Sequence, residues 1–342
     1  MKKALFIGGT GTISTAISKL VAQSPDWELY VINRGSRNNV LPKNVKTITI
    51  ADINNEDEAR EKLAEYEFDC VCDFIGFVPA HAERDWRLFK GRTEQYMFIS
   101  SASAYMKPCP TPFITEDVPL ENPFWEYSRG KQACEEFLFG KWREEGFPVT
   151  VIRPSHTYDE RKVPIGIHGN KGNWSVIKRI LDGKPVLIQG DGTSLWTMTH
   201  NSDFAKGFFG LMGNPKAIGE AFHITSDESL TWNQIYDCIG KALGKECLRY
   251  YVPSDFLGAV GAKFDLDGAL LGDKSNTVIF DNSKVKALVP EFVCTIPYEK
   301  GVKMTVDNVL AHPELQVEDP EFDQWCDRVI DALERCKASL SE

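Results

Sequence analysis

Short apolar runs alternate with amphipathic stretches through the first 155 residues. Ala4-Leu5-Phe6-Ile7 is an apolar run. Ile13, Ile17, Leu20 and Val21 then recur on one face at helical spacing. Leu29-Tyr30-Val31-Ile32 predicts a second strand, Lys46–Ile50 a third, Asp69–Phe74 a fourth, Gln95–Ile99 a fifth and Val149–Ile152 a sixth. The stretches between them predict helices over Glu56–Tyr66 and Ala80–Lys90, and a further helix carries Tyr127. Strand and helix in alternation predict an α/β fold with a parallel, doubly wound sheet, whose ligand lies at the carboxyl ends of the strands.

Beyond residue 155 the pattern changes. His168–Asn173 is a polar, glycine-rich loop, followed by a predicted helix at Trp174–Leu181 and a short strand at Val186–Ile188. Gly190-Asp191-Gly192 turns the chain, and Ser202-Asp203 is expected to cap a helix running through Leu211. Ala221–Ile224 predicts a strand, Thr231–Leu243 a helix, and the acidic tail a helix around Cys326–Cys336. The expected organisation is a Rossmann-type domain over residues 1–155. A smaller α/β substrate-binding lobe follows over 156–342, with some elements returning to the main sheet. The proline-rich stretch Lys107–Phe124 is expected to loop over the substrate mouth.

Charge and cysteine usage narrow the partners. The 342-residue chain has a net charge of −10 and no long basic run, which argues against nucleic acid or an anionic membrane as the main partner. Nine cysteines, a start at Met1-Lys2-Lys3 that passes straight into a strand, and no stretch of membrane-span length fit a reduced, cytoplasmic protein. Cys70 and Cys72 alternate along a strand and so share one face, which makes them core residues rather than metal ligands. No other Cys or His pair has metal-site spacing, so no metal is expected.

The candidate chemistry falls at strand ends. Gly8-Gly9-Thr10-Gly11-Thr12-Ile13-Ser14 stands between a strand and a helix, the context of a dinucleotide site. Gly8 permits the tight turn, and Gly11 lets the backbone approach a pyrophosphate at the helix N-terminus. The third small position is Ser14. At the end of the second strand stands Asn33-Arg34, with no acid to bind a ribose 2′-hydroxyl and with Arg34 and Arg37 to meet a 2′-phosphate. This favours NADP over NAD, the alternative being solvated loop arginines. Asp52 is placed to meet the adenine amino group, with Ile53 against the ring. Tyr127 and Lys131 are four apart, so on a helix they share a face. A nearby ammonium lowers a phenol's pKa, and a Tyr so tuned can trade a proton with a hydroxyl or carbonyl near neutral pH. Alone, this pair is a weak signal and reads as a solvated helix face. The glycine turn and the upstream Ser100-Ser101-Ala102-Ser103 turn the reading toward catalysis. Glu126, Arg129 and Glu135 read as solvated helix charges.

Over about residues 1–310 the chain resembles the extended short-chain dehydrogenase/reductase superfamily, in particular its NAD-dependent epimerase/dehydratase branch. Gly8, Gly11 and Ser14 fill the Gly-x-x-Gly-x-x-Gly positions, and Asp52-Ile53 the adenine-contacting pair. Phe74-Ile75-Gly76 fills the cofactor-contacting turn, and Ser101 the catalytic Ser/Thr position. Tyr127 and Lys131 fill the Tyr-x-x-x-Lys pair, and Arg153-Pro154 the Arg-Pro after strand six. The resemblance implies catalytic Ser101, Tyr127 and Lys131. It implies cofactor contacts from Gly8, Gly11, Thr12, Ile13, Asn33, Arg34, Asp52, Ile53, Phe74, Gly76, Tyr127, Lys131 and Pro154. Ser100 and Ser103 compete with Ser101 for the catalytic role, and Ser103 is also placed at the substrate.

Two departures bear on substrate. Nucleotide-sugar members often carry an arginine four positions after Gly-Asp-Gly, where this chain has Trp196, and an asparagine two after the Pro, where it has His156. A tryptophan suits stacking on a sugar but cannot neutralise a phosphate. Both residues are assigned to the substrate, the alternative being packing for Trp196 and, for His156, a polar residue satisfied by neighbouring backbone. The resemblance thus implies an NAD(P)-dependent oxidoreductase or epimerase acting on a carbinol or carbonyl of a sugar-like molecule. The competing expectation is a non-catalytic nucleotide- or RNA-binding protein on the same scaffold, since Asn-Arg-Gly after strand two also resembles the chloroplast stem-loop RNA-binding relatives. Phe137, Leu138 and Phe139 fit a homodimer interface and fit an internal core equally well.

Overall fold

The computed structural model describes residues 1–34 and 40–341, so Arg37 lies outside the described residues. The first half follows the sequence pattern: β1 (Lys2–Ile7), α1 (Thr12–Gln23), β2 (Trp27–Asn33), β3 (Lys46–Thr49), α2 (Glu56–Leu63), β4 (Cys70–Asp73), α3 (Pro79–Phe89) and β5 (Tyr96–Ile99). A two-residue strand β6 (Phe113–Ile114) interrupts the proline-rich stretch before α4 (Glu126–Glu145) and β7 (Val149–Pro154). Three strand stretches are buried throughout, which suits a parallel sheet covered on both faces: Ala4–Ile7, Tyr96–Ile99 and the whole of β7.

The second half is built from β8 (His156–Tyr158), α5 (Trp174–Leu181), β9 (Val186–Gln189), β10 (Leu195–Trp196), β11 (Met198–His200) and α6 (Asn201–Leu211). Then come β12 (Ala221–Ile224), β13 (Leu230–Thr231), α7 (Trp232–Leu243), β14 (Arg249–Val252) and α8 (Ser254–Val260). A π-helical stretch at Asp267–Lys274 is followed by β15 (Ile279–Phe280), α9 (Ser283–Leu288), α10 (Tyr298–Ala311) and α11 (Pro320–Leu340). Among the described residues, no helix is long and apolar enough to cross a membrane.

Seven parallel strands form the central sheet in the order β3-β2-β1-β4-β5-β7-β12. Strand order reverses between β1 and β4, and such a reversal opens a crevice at the carboxyl ends of the strands. Ala221–Ile224 returns to pair with Val151–Pro154 at the sheet edge. On one face of the sheet Ile17 and Val21 are fully buried, with Ile13 and Leu20 packed against the same cluster, as the helical spacing predicts. Cys70 and Cys72 lie in the core 3.7 Å apart, the Cys70 thiol donating to Gln95. A separate core holds the later elements together, with Trp196, Trp232, Tyr236 and Phe264 in it.

Two local readings need correction. Glu135 is not a solvated charge: it is buried and pairs with Arg153 (Nη2 to Oε2, 2.7 Å). Its helix turns that face onto β7, where both charges lose water and find each other. Glu126 and Arg129 are exposed, as expected. Ser202-Asp203 does not cap α6. His200 does so through its ring nitrogen, and buried Asp203 accepts from the backbone amides of Thr295 and Ile296. The π-helical stretch has no counterpart in the periodicity.

Candidate active site

The glycine turn is shaped by two constraints. Gly8 has φ +87°, and a Cβ placed there would stand 2.6 Å from Ile75 Cγ2. Ser14, fully buried, stitches the turn: its Oγ accepts from the Gly11 amide (2.8 Å) and donates to the Gly8 carbonyl (2.7 Å). Gly11 differs from Gly8, because the nearest atom to a Cβ there is Ser14 Oγ at 3.4 Å, leaving space above the turn. The first turn of α1 carries no acidic residue, so its positive end is open to an anion.

Gly8 and Gly11 line a cavity of about 370 Å³ together with Asn33, Arg34, Asp52, Ile53, Ile75, His81 and Arg84. Strand-end residues from β1, β2 and β3 therefore meet where the adenosine end of a dinucleotide would lie. Thr12, Ile13 and Phe74, also predicted cofactor residues, line neither this cavity nor the one that holds Tyr127. Phe74 turns its ring into the core against Phe6 (5.1 Å) and Phe208 (5.6 Å), and Ile75 faces the cavity instead. Ile13 also packs on the core. Thr12 accepts at Oγ1 from Arg161 (3.2 Å) and at its carbonyl from Asn201 (2.9 Å).

A second cavity, of about 250 Å³, gathers Ser101, Ser103, Tyr127, Pro154, His156 and Trp196. Lys131 lies between the two cavities. Its ammonium, 1 % exposed, donates to the carbonyls of Gly76 (2.5 Å) and Ile99 (2.7 Å). Gly76 is required there, because a Cβ would stand 2.4 Å from Asp73 Oδ2. Burial lowers the Lys131 pKa to about 8, against the pull of Asp73. Tyr127 departs from expectation in direction: burial pushes the phenol up to about 12, and the Ser101 hydroxyl beside it, rather than Lys131, pulls it back.

Ser103 anchors the serine cluster. It is buried, Ser101 Oγ lies 2.8 Å away, and Ser128 donates to it at 2.7 Å. His156 accepts at Nδ1 from Trp196 Nε1 (3.3 Å), which leaves Nε2 to carry the proton. Burial lowers its pKa to about 3, so the ring is neutral near pH 7. Trp196 is 2 % exposed and stacks on Trp232 (5.5 Å, 28°), so one of its faces is already taken.

Sequence reasoning missed Trp125, His168, Asp273, Lys274, Val278 and Phe280, which also line this cavity, and did not give Lys107 a role in it. They come from loops, from β15 and from the π-helical stretch, so no regular spacing marks them. A larger cavity, about 710 Å³ between α1 and α10, contains none of the predicted site residues. Convergence of polar groups, not volume, distinguishes the site.

The profile of the NAD dependent epimerase/dehydratase family matches residues 4–225, and the chain belongs to that family. It is similar to 2'-dehydrokanamycin reductase of Streptomyces kanamyceticus, 24 % identical over 292 residues that cover 85 % of this chain and 80 % of the relative. It is also similar to the chloroplast stem-loop binding protein of 41 kDa b of Arabidopsis thaliana, 26 % identical over 268 residues (75 % and 67 %). Among solved structures it shares its fold with UDP-glucuronic acid 4-epimerase from Bacillus cereus in complex with UDP-glucuronic acid and NAD. That match has a TM-score of 0.72 at 19 % identity, covering 90 % of this chain and 99 % of that one. The dTDP-glucose 4,6-dehydratase from Bacillus anthracis in complex with NAD matches with a TM-score of 0.71 at 18 % identity (92 % and 98 %).

Proposed function

We propose that this protein is a nicotinamide-dependent oxidoreductase or epimerase acting on a carbinol or carbonyl of a small, sugar-like molecule, with Tyr127 as general acid/base. The observation that carries this reading is the placement of Lys131. It is held by Gly76 beside the first cavity, four residues along the same helix from Tyr127 in the second.

The glycine turn, the acid-free helix end and the strand-end cavity fit a dinucleotide, with Gly8, Gly11, Asn33, Arg34, Asp52 and Ile53 to hold it. When bound, its nicotinamide supplies the hydride acceptor or donor. Tyr127 moves the proton between its phenol oxygen and the substrate oxygen, and Ser101 hydrogen-bonds that same oxygen. Neutral His156, with its proton on Nε2, presents a donor to another substrate oxygen. Lys131 fixes the turn at Gly76 and places a positive charge under the phenol ring, 5.7 Å from its centre.

Arg34 in the first cavity, with Asn33 in place of an acid, supports NADP as the preferred form; relatives with bound NAD support the other. Calorimetric titration of purified protein with NADP(H) and NAD(H), after a check for copurified cofactor, tests both points. NADP binding that weakens toward NAD in Arg34→Ala supports the preference; tight copurified NAD(H) overturns it. Failure to bind either cofactor overturns the enzymatic reading. Similarity to the stem-loop binding protein favours RNA binding as a second reading, which a gel shift that survives Tyr127→Phe would support.

A further inference from the structure

The substrate cavity holds more charge than the proton transfer uses. Lys107 and Lys274 both line it, at 4 % and 9 % exposure. Among the described residues, neither makes an ion pair. Lys107 donates to the thiol of Cys109 (3.3 Å), a weak acceptor, and the Lys274 ammonium stands over the Trp125 ring at 5.7 Å. Trp125 in turn lies 4.9 Å from the Tyr127 ring, so this charge is close to the reacting end of the cavity. Asp273 lines the same space, and the charges of Lys274 and Lys107 both act on its carboxyl. His156 and His168 also face the cavity and feel Lys274, and burial lowers both imidazoles. Burial raises the Asp273 carboxyl and lowers the Lys274 ammonium, and Asp265, which accepts from Trp125 Nε1 (2.9 Å), also acts on Lys274 from outside the cavity lining.

These are not loose surface lysines. Trp232 Nε1 donates to the Lys274 carbonyl (2.9 Å), and Asn122 Nδ2 donates to the Gly272 carbonyl (2.7 Å). Gly268 and Gly272 let the π-helical stretch close on Trp125, where a Cβ at either position would come within 2.2 or 2.9 Å of that side chain. A buried ammonium short of acceptors is costly, and two in one cavity, one held only by a thiol, point to a ligand that supplies oxygens. The π-helical turn is itself a conformation often found at functional sites.

We propose that Lys107 and Lys274 bind an anionic group of the substrate, a carboxylate or a phosphate monoester, while Asp273 accepts from a neighbouring hydroxyl. This rests on the reading of Tyr127 and its cavity given above. At about 250 Å³ the cavity sits below the usual range of ligand pockets, about 300–1,000 Å³, so the anion belongs to a compact molecule such as a sugar acid or a sugar phosphate.

The test is calorimetry on the full-length, cofactor-saturated protein with D-glucuronate, D-glucose 6-phosphate and D-glucose, in wild type, Lys107→Met, Lys274→Met and Lys274→Arg. At least one anionic sugar should bind about tenfold or more tightly than glucose, and each Met variant should lose about that factor for the anion. Lys274→Arg should retain part of it. Glucuronate against glucose 6-phosphate separates carboxylate from phosphate. Melting temperatures of the variants check that each remains folded. Equal affinity for glucose and the anions, no anion binding, or anion affinity unchanged in both Met variants would overturn the inference. If wild type binds no cofactor, the proposed function falls and this falls with it; if cofactor binds and the anions are not discriminated, this inference alone falls.

Discussion

The Lys131 ammonium stands 5.7 Å from the centre of the Tyr127 ring, anchored by the carbonyls of Gly76 and Ile99 rather than by the phenol. It acts on the fold as a clamp between α4, the turn after β4 and the end of β5. Tyr127→Phe removes the proton and leaves the clamp. Turnover on the first substrate found should fall by about 10²–10⁴-fold, with cofactor affinity kept. Steady-state kinetics beside a cofactor titration check this, and turnover within a few-fold of wild type would remove Tyr127 from the proton transfer.

Lys131→Met breaks the clamp. Two carbonyls lose their donor, which costs roughly 1–3 kcal/mol. The pH dependence has a definite sign. The folded pKa of about 8 lies below the unfolded value of 10.5, so the unfolded chain binds more protons between them. Wild-type stability relative to Lys131→Met should therefore rise from pH 8 to 10.5. Urea melts across that window measure it; a flat difference would mean the ammonium is not desolvated.

Gly8 and Gly11 should separate under the same substitution. Gly8→Ala forces a positive φ and a 2.6 Å contact with Ile75, and should cost about 1–3 kcal/mol of stability. Gly11→Ala meets no protein atom closer than 3.4 Å, so it should fold within about 0.5 kcal/mol of wild type yet bind dinucleotide more weakly. Thermal melts with and without cofactor show whether this split occurs.

The buried pair Arg153–Glu135 predicts a large effect on stability. Glu135→Gln leaves a buried guanidinium uncompensated and should cost about 3–5 kcal/mol. Glu126→Gln, on an exposed position of the same helix, should stay within about 0.5 kcal/mol. Equal small effects in denaturant titrations would contradict the burial of the pair.

His156 predicts a loss of stability toward acid. Its folded pKa of about 3 lies below the unfolded 6.5, so the unfolded chain takes up the proton first as pH falls. Its share of stability is complete above pH 6.5 and is lost toward pH 3. His156→Gln should give a shallower decline over that interval, read from melting temperatures; an unchanged slope would mean the ring titrates normally.

The sequence by itself determined the sheet and the turn. Runs such as Ala4–Ile7 and the 3.6-residue spacing of Ile13, Ile17 and Val21 are local, so their elements and burial could be read before any contact was known. Glycines at a strand end and a Tyr and Lys four apart are local too, and they marked both cavities. Tertiary structure decided what depends on distant neighbours. Glu135 is buried because Arg153 lies across from it on β7. Phe74 enters the core because Phe6 and Phe208 leave room for it. Lys107, Asp273 and Lys274 meet only because Asn122, Trp125 and Trp232 fix the π-helical stretch over the cavity. The Tyr127 pKa also turned on burial, and charge spacing along a helix carries no information about how much water a phenol has lost.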